Sequence, residues 1–282
     1  MHKIPRQNTG RNATHLPWAL GAAILAAISL LGCSGVQEDG APAGNIDISG
    51  IPDASPRQEP RSRYGNPDTY KVNGKRYYTR KSSRGYQERG VASWYGRKFH
   101  GRLTSNREPY DMYAMTAAHR TLPLPTYARV KNLRNGRNVV VRINDRGPFH
   151  SNRIIDLSYA AATKLDIVGD GTGLVEVTAI DPAHPKPLVA ATPLDRTSSQ
   201  PGQLPRLFLQ VGAFGNRYNA ERLQARIEPT IAASVRIQAL ANNSRPLYRV
   251  QIGPLASVQL VDDLSSRLQR DWGLSGMHVV VD

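Results

Sequence analysis

Between Glu88 and Asp181 the chain breaks into five short runs rich in β-branched and aromatic residues. They read R-G-V-A-S-W-Y-G, Y-A-M-T-A-A-H, Y-A-R-V-K-N-L, R-N-V-V-V-R-I and G-L-V-E-V-T-A-I, each bounded by turn formers. Many short strands with a single helical segment argue for a small closed barrel, which leaves no open sheet edge. Asn135-Gly136, between two of the runs, marks a hairpin turn. The one helix expected is S-Y-A-A-A-T-K-L, with Ser158 as N-cap and Asp156 just before it.

The C-terminal stretch, 206–282, has a different rhythm. R-L-F-L-Q-V-G precedes a helix with Ala220, Leu223 and Ile227 at helical spacing. Two strands follow, S-V-R-I-Q-A-L and P-L-Y-R-V-Q-I-G, then a second helix capped by Ser257 with Leu260, Val261, Leu264 and Leu268 on one face. G-M-H-V-V-V-D closes the chain. This βαββαβ order is the split βαβ layout of ferredoxin-like folds. Q-V-G-A-F at 210–214 and Q-I-G-P-L at 251–255 occupy matching places before the two helices, a small internal repeat. Residues 182–205, with six prolines, read as a stiff extended linker.

At the other end, Lys3, Arg6 and Arg11 lead into an apolar run that finishes in small residues, so 1–32 reads as an export signal. The only cysteine, Cys33, ends that run, and no intrachain disulfide can form. Leu30-Leu31-Gly32-Cys33 resembles the lipobox of bacterial lipoproteins, in which the cysteine is acylated and anchors the protein to a membrane. Ser34 resembles the pattern that sorts such proteins to the outer membrane. From Arg57 to Arg84 nine basic residues face only Glu59 and Asp68, and 33–87 is expected to be a basic, disordered tether. The net charge of +15 suits an anionic partner such as nucleic acid, acidic lipid or cell wall. A nucleic-acid binder of the βαββαβ type needs an aromatic run on a central strand, which S-V-R-I-Q-A-L and Y-R-V-Q-I-G lack. Nucleic acid is therefore not expected as a partner.

Several chemistries find no support. The seven histidines are scattered, with no i,i+4 pair and no thiolate beside them, so neither a metal nor a cofactor is expected. There is no G-x-S-x-G elbow. G-D-G-T-G at 169–173 runs into a strand, whereas a phosphate cradle needs a helix N-terminus after it. What remains is a polar set within the barrel segment: S-W-Y-G (93–96), G-R-L-T-S-N-R-E-P-Y-D-M (101–112), T-A-A-H-R-T-L-P (116–123), N-D-R-G-P-F (144–149) and R-I-I-D-L-S (153–158). Asp145 stands where the apolar V-V-V-R-I run leaves its sheet. A turn accounts for that placement, and so does a catalytic acid held at a rigid strand end. Glu108 as a solvated loop charge, and His119, Trp94 and Tyr95 as core residues, are equally ordinary readings.

These segments, in their order and spacing, resemble the double-psi β-barrel of the rare lipoprotein A family, septal-ring lytic transglycosylases. T-A-A-H-R-T-L-P and V-R-I-N-D-R-G-P-F carry the likeness most specifically. Q-V-G-A-F and Y-R-V-Q-I-G-P-L resemble the SPOR domain, which binds glycan strands stripped of their peptides. The resemblance implies a mainly β plus α+β protein: a six-stranded double-psi barrel at 88–181 and a SPOR module at 206–282. It implies cleavage of the β-1,4 bond between N-acetylmuramic acid and N-acetylglucosamine, leaving 1,6-anhydro ends, during septal wall separation. Asp145, Glu108 and His119 fall on the family's catalytic positions. Trp94, Tyr95, Tyr110, Asn144 and Arg146 are the expected substrate contacts, and Gln210, Phe214 and Gln251 the expected SPOR contacts to glycan. Septal-ring proteins are further expected partners. The family usually places Gly before the catalytic Glu, and here that position is Arg107. If the position needs positive φ, a side chain there strains or re-aims the loop, and a guanidinium pairing with Glu108 would lower its pKa. That departure feeds the alternative of an expansin-like, non-catalytic wall-binding lipoprotein.

Overall fold

The computed structural model describes residues 39–44, 46–183, 205–240 and 246–282. The signal segment, Cys33 and residues 184–204 of the Pro-rich stretch lie outside the described residues. Strands β1 (Thr69–Val72) and β2 (Lys75–Tyr78) pair as a hairpin. Six strands then close a barrel: β3 (Gln87–Tyr95), β4 (Thr116–His119), β5 (Thr126–Asn132), β6 (Asn138–Asp145), β7 (Ile155–Ser158) and β8 (Thr172–Ile180). Around the barrel the order is β3-β7-β4-β6-β5-β8. The β3–β7 and β4–β6 pairs are parallel and the other four are antiparallel.

Small and branched residues fill the interior, among them Ala92, Ala117, Ala128, Val141, Ile143, Ile155, Leu157 and Val175. Alternation along each strand sends them inward. Asn135-Gly136 forms the β5–β6 turn, with Gly136 at φ +76. Helix α1 (Tyr159–Lys164) follows β7 directly, and Ser158 caps it by accepting from the Ala161 N–H.

The C-terminal module contains β9 (Leu207–Phe214), α2 (Arg217–Ile227), β10 (Val235–Leu240), β11 (Leu247–Leu255), α3 (Val258–Trp272) and β12 (His278–Val281). Its antiparallel sheet has the order β10-β11-β9-β12, the arrangement expected of the βαββαβ sequence. The two repeat glutamines, Gln210 and Gln251, are direct cross-strand partners. Ser257 caps α3 and Gly273, at φ +63, terminates it. The module is not separate from the barrel. Val91 and Leu174 share a buried cluster with Leu209, Val261, Leu264 and Leu268. Beside it, Arg153 donates to Asp262 at 2.6 and 3.3 Å, and Asn152 donates to Asp262 at 2.8 Å.

The stretch expected to be a disordered tether is bonded to the barrel at Asp39 and Gly40, which accept from the 96–98 backbone, and again from Ile51 onward. Ile51 and Ala54 pack on the barrel core. The Ala54 N–H donates to the Val140 carbonyl, and the Val140 N–H donates to Asp53. Ser62 N–H donates to the Leu124 carbonyl, and Asn66 exchanges bonds with both backbone groups of Leu124. Tyr77 is buried and stacks on Tyr70, and both rings meet Phe149. The physical reason is specific pairing: backbone and carboxylate bonds spaced along the stretch supply the ordering energy that its composition lacks. Residues 51–66 form a strap along the barrel.

Candidate active site

The V-V-V-R-I run ends at a break in the β4–β6 ladder. Ala117 pairs with Ile143, but Ala118 pairs with Asp145, so Asn144 is an extra residue. Such a bulge re-aims the side chains next to it. Asp145 turns toward the 101–110 loop, where its Oδ1 accepts from Ser105 N (2.7 Å), Ser105 Oγ (2.6 Å) and Arg146 N (2.7 Å). Its Oδ2 takes no hydrogen bond from the described residues. One oxygen fixes the carboxyl group and the other stays available for chemistry.

Glu108 is brought in by the same loop. A Leu103–Pro109 bridge closes it, Thr104 N–H and Oγ1 both donate to the Glu108 carbonyl, and Arg107 N–H donates back to Thr104. That turn puts Arg107 at φ +69, the left-handed region that favours glycine. Its guanidinium lies 4.0 Å over the Tyr64 ring of the strap rather than pairing with Glu108. The partner of Glu108 is Arg142, which donates to both carboxylate oxygens at 2.6 and 2.9 Å, with Asn144 donating at 2.9 Å. Burial alone would raise the Glu108 carboxyl, but hydrogen bonds from Arg142, Asn144 and Asn106 outweigh it and hold the group below the ordinary glutamate range. Arg142 also reaches Glu59 of the strap at 3.0 and 2.8 Å. Those bonds lead in depressing Glu59, against burial and with help from the Tyr127 hydroxyl, to about 2.

His119 does not join this group. Its Nδ1 accepts from the Thr121 and Leu122 N–H groups at 3.1 and 3.0 Å, so the proton sits on Nε2, which faces the Tyr86 hydroxyl at 2.8 Å. Burial, reinforced by Arg120, Arg146 and Arg80, pushes the imidazole down to about 3, so it is neutral. Both ring nitrogens are spent on a turn and on Tyr86, away from both carboxylates. Among the described residues neither ring nitrogen bonds to Asp145 or Glu108.

Tyr95 and Tyr110 are buried and stacked on each other at 4.1 Å. Trp94 packs partly on the barrel core and meets Tyr159 edge-on at 5.8 Å. Arg146 donates to the Gly65, His119 and Leu122 carbonyls and to Asn66, which uses its guanidinium to pin the post-strand loop to the strap. Asn144 lies beside Glu108 and donates to it. In the C-terminal module Gln210 and Gln251 are buried, and Gln251 bonds to Arg236 and Gln238. Phe214 is part-buried against the module's core. The sequence reading missed Ser105, Arg142 and Glu59. An arginine inside a Val/Ile strand was the available signal for the middle one, because such a charge needs a partner. Among the described residues no three His, Cys, Asp or Glu side chains converge to hold a metal.

The molecule is thus a closed double-psi barrel with two carboxylates at one strand end, followed by a ferredoxin-like module packed against it. The family model described as lytic transglycolase matches residues 87–178, and that of the SPOR domain matches 205–279. A Pseudomonas aeruginosa (strain UCBPP-PA14) protein named endolytic peptidoglycan transglycosylase RlpA is 43% identical over 272 residues, covering 80% of this chain and 79% of the relative. A Vibrio cholerae protein of the same name is 51% identical over 173 residues, covering 58% of this chain and 65% of its own. The crystal structure of the RlpA SPOR domain from Pseudomonas aeruginosa is 36% identical and spans 26% of this chain and 96% of that chain, with a TM-score of 0.25. This chain belongs to the RlpA family.

Proposed function

We propose that this protein is a peptidoglycan lytic transglycosylase in which Asp145 is the acid and base and Glu108 a fixed negative charge. Cleaving the muramic acid–glucosamine bond passes through an oxocarbenium-like state and needs a proton on the leaving oxygen. No water is needed, because the 6-hydroxyl of the muramic sugar closes on its own C1. One carboxyl group therefore gives a proton to the leaving oxygen and later takes one from the 6-hydroxyl. Asp145 suits both steps, with Oδ1 anchored by three donors and Oδ2 open. Glu108, kept ionised by Arg142 and Asn144, stabilises the positive charge that develops at C1. The observation that supports this reading is that the two carboxylates are held differently, Asp145 through one oxygen and Glu108 through both.

The SPOR module supplies capture of peptide-free glycan, and acylated Cys33 holds the enzyme on the periplasmic side of the outer membrane, at the division septum with its ring proteins. The test incubates protein from residue 34 onward with intact sacculi and with amidase-stripped glycan, followed by mass spectrometry. The expected result is 1,6-anhydro-muramic ends from stripped strands, absent with Asp145→Asn. Binding without any such ends would return the non-catalytic reading. Arg107 occupies the positive-φ position on which that reading draws, with its guanidinium stacked on Tyr64.

A further inference from the structure

We infer that Glu59, on the strap and outside the barrel itself, is a positioning residue that keeps the negative charge of Glu108 available to the substrate. The inference rests on Glu108 acting as the charge that stabilises the transition state. The matched transglycolase region starts at residue 87, so Glu59 lies upstream of it. The strap is tied to the barrel on both sides of Glu59, by Asp53 and Ala54 to Val140 and by Ser62 to Leu124. Glu59 therefore arrives at Arg142 on a fixed backbone.

Arg142 is shared. It donates to Glu59 at 3.0 and 2.8 Å and to Glu108 at 2.6 and 2.9 Å. Two carboxylates and one guanidinium leave one net negative charge. Its location follows from exposure: the Glu59 and Arg142 side chains are 16% and 17% exposed, and Glu108 is 42% exposed. Glu59 neutralises Arg142 from the sheltered side, and the uncancelled charge faces outward on Glu108. Without Glu59, the guanidinium would be spent wholly on Glu108 and the pair would present no net charge to a developing cation. The remaining groups against the cluster are Tyr127, which donates to Glu59 at 2.5 Å, the exposed Arg57 at 3.3 Å, and Asn106 and Asn144 beside Glu108. Arg107, the other nearby cation, is turned onto Tyr64.

The decisive variant is Glu59→Gln, which keeps the shape and removes the charge. In the full-length protein, carbon-13 NMR follows the titration of the Glu108 carboxyl while steady-state kinetics are measured on peptide-free glycan. Removing a neighbouring negative charge favours ionised Glu108, so its midpoint moves down in the variant. Turnover falls about tenfold, or about 1.4 kcal/mol of transition-state stabilisation, with KM nearly unchanged. Glu59→Asp restores the midpoint and part of kcat, and a thermal melt checks that each variant is folded. An unmoved midpoint in folded protein would overturn the control of Glu108 by Glu59. A lowered midpoint with wild-type kcat would overturn its part in catalysis. A lowered midpoint in a protein whose wild type yields no anhydro ends would sink the transglycosylase reading and leave the electrostatic control standing.

Discussion

Replacing His119 by alanine separates a structural histidine from a catalytic one. The ring is 3% exposed, and its Nδ1 is the acceptor for the Thr121 and Leu122 N–H groups. Leu122 is fully buried, so its N–H would be left without a partner at a cost of about 1–3 kcal/mol. Thr121 is part-exposed and water can replace its bond, while the space left by the imidazole adds about 1–2 kcal/mol. Tyr86 keeps Glu88 as a partner and adds nothing. The sum is about 3 kcal/mol, a large share of the roughly 5–15 kcal/mol that holds a domain together. Urea denaturation followed by tryptophan fluorescence reads it directly. His119→Asn should recover much of the loss, because its side-chain oxygen can accept the same two N–H groups.

A pH signature accompanies this. The folded imidazole titrates at about 3 and the unfolded one near 6.5, so the unfolded chain takes up a proton that the folded one refuses. His119 thus costs stability progressively as pH falls from 6.5 toward 3, and the slope over that window should be shallower in His119→Asn. A His119→Ala protein that unfolded at the wild-type urea concentration, yet lost turnover about a thousandfold, would show that the ring acts in proton transfer after all.

Two further substitutions probe the frame of the site. Arg107→Gly relieves a side chain at φ +69 but gives up the stack on Tyr64, terms of about 1 kcal/mol each and opposite in sign. Its melting temperature should stay within a few degrees of wild type and its turnover within severalfold, measured side by side. Asp262→Ala strips the partner from Arg153, whose side chain is 10% exposed, at a cost of about 3 kcal/mol. Calorimetry should then resolve two transitions, the C-terminal module melting ahead of the barrel, where wild type melts in one.

How much of this was legible depends on whether the signal was periodic. The longer barrel strands rich in β-branched and aromatic residues and bounded by turn formers, such as β5 and β6, announce themselves, as do the Asn-Gly hairpin and the two serine caps. The four-residue β7 did not, because I-D-L-S is too short to show a period and sits among polar residues. The strap was illegible for a related reason. Its attachment comes from single residues bonding across 87 positions in the case of Asp53 and 83 in the case of Glu59, and composition reports only their basic neighbours. The strand-end placement of Asp145 and the resemblance single out Asp145 and Glu108 in the sequence, but the groups that hold each carboxylate are not legible there. How each carboxylate is held depends on which donors reach which oxygen, and those donors are Arg142, Asn144 and Arg146 at the bulged end of β6 and Ser105 of the 101–110 loop. Tyr95, Tyr110 and His119 are buried, which spacing alone does not reveal.

The central claim is that the sugar's own hydroxyl, not water, takes the cleaved bond, with Asp145 moving the proton. Digesting amidase-stripped glycan in heavy-oxygen water tests it most directly. The account predicts fragments ending in 1,6-anhydro-muramic acid with no heavy oxygen at the new end, and none at all from Asp145→Asn. Reducing ends carrying heavy oxygen would mean that water attacks C1, and the protein would be a hydrolase with a different use for its two carboxylates.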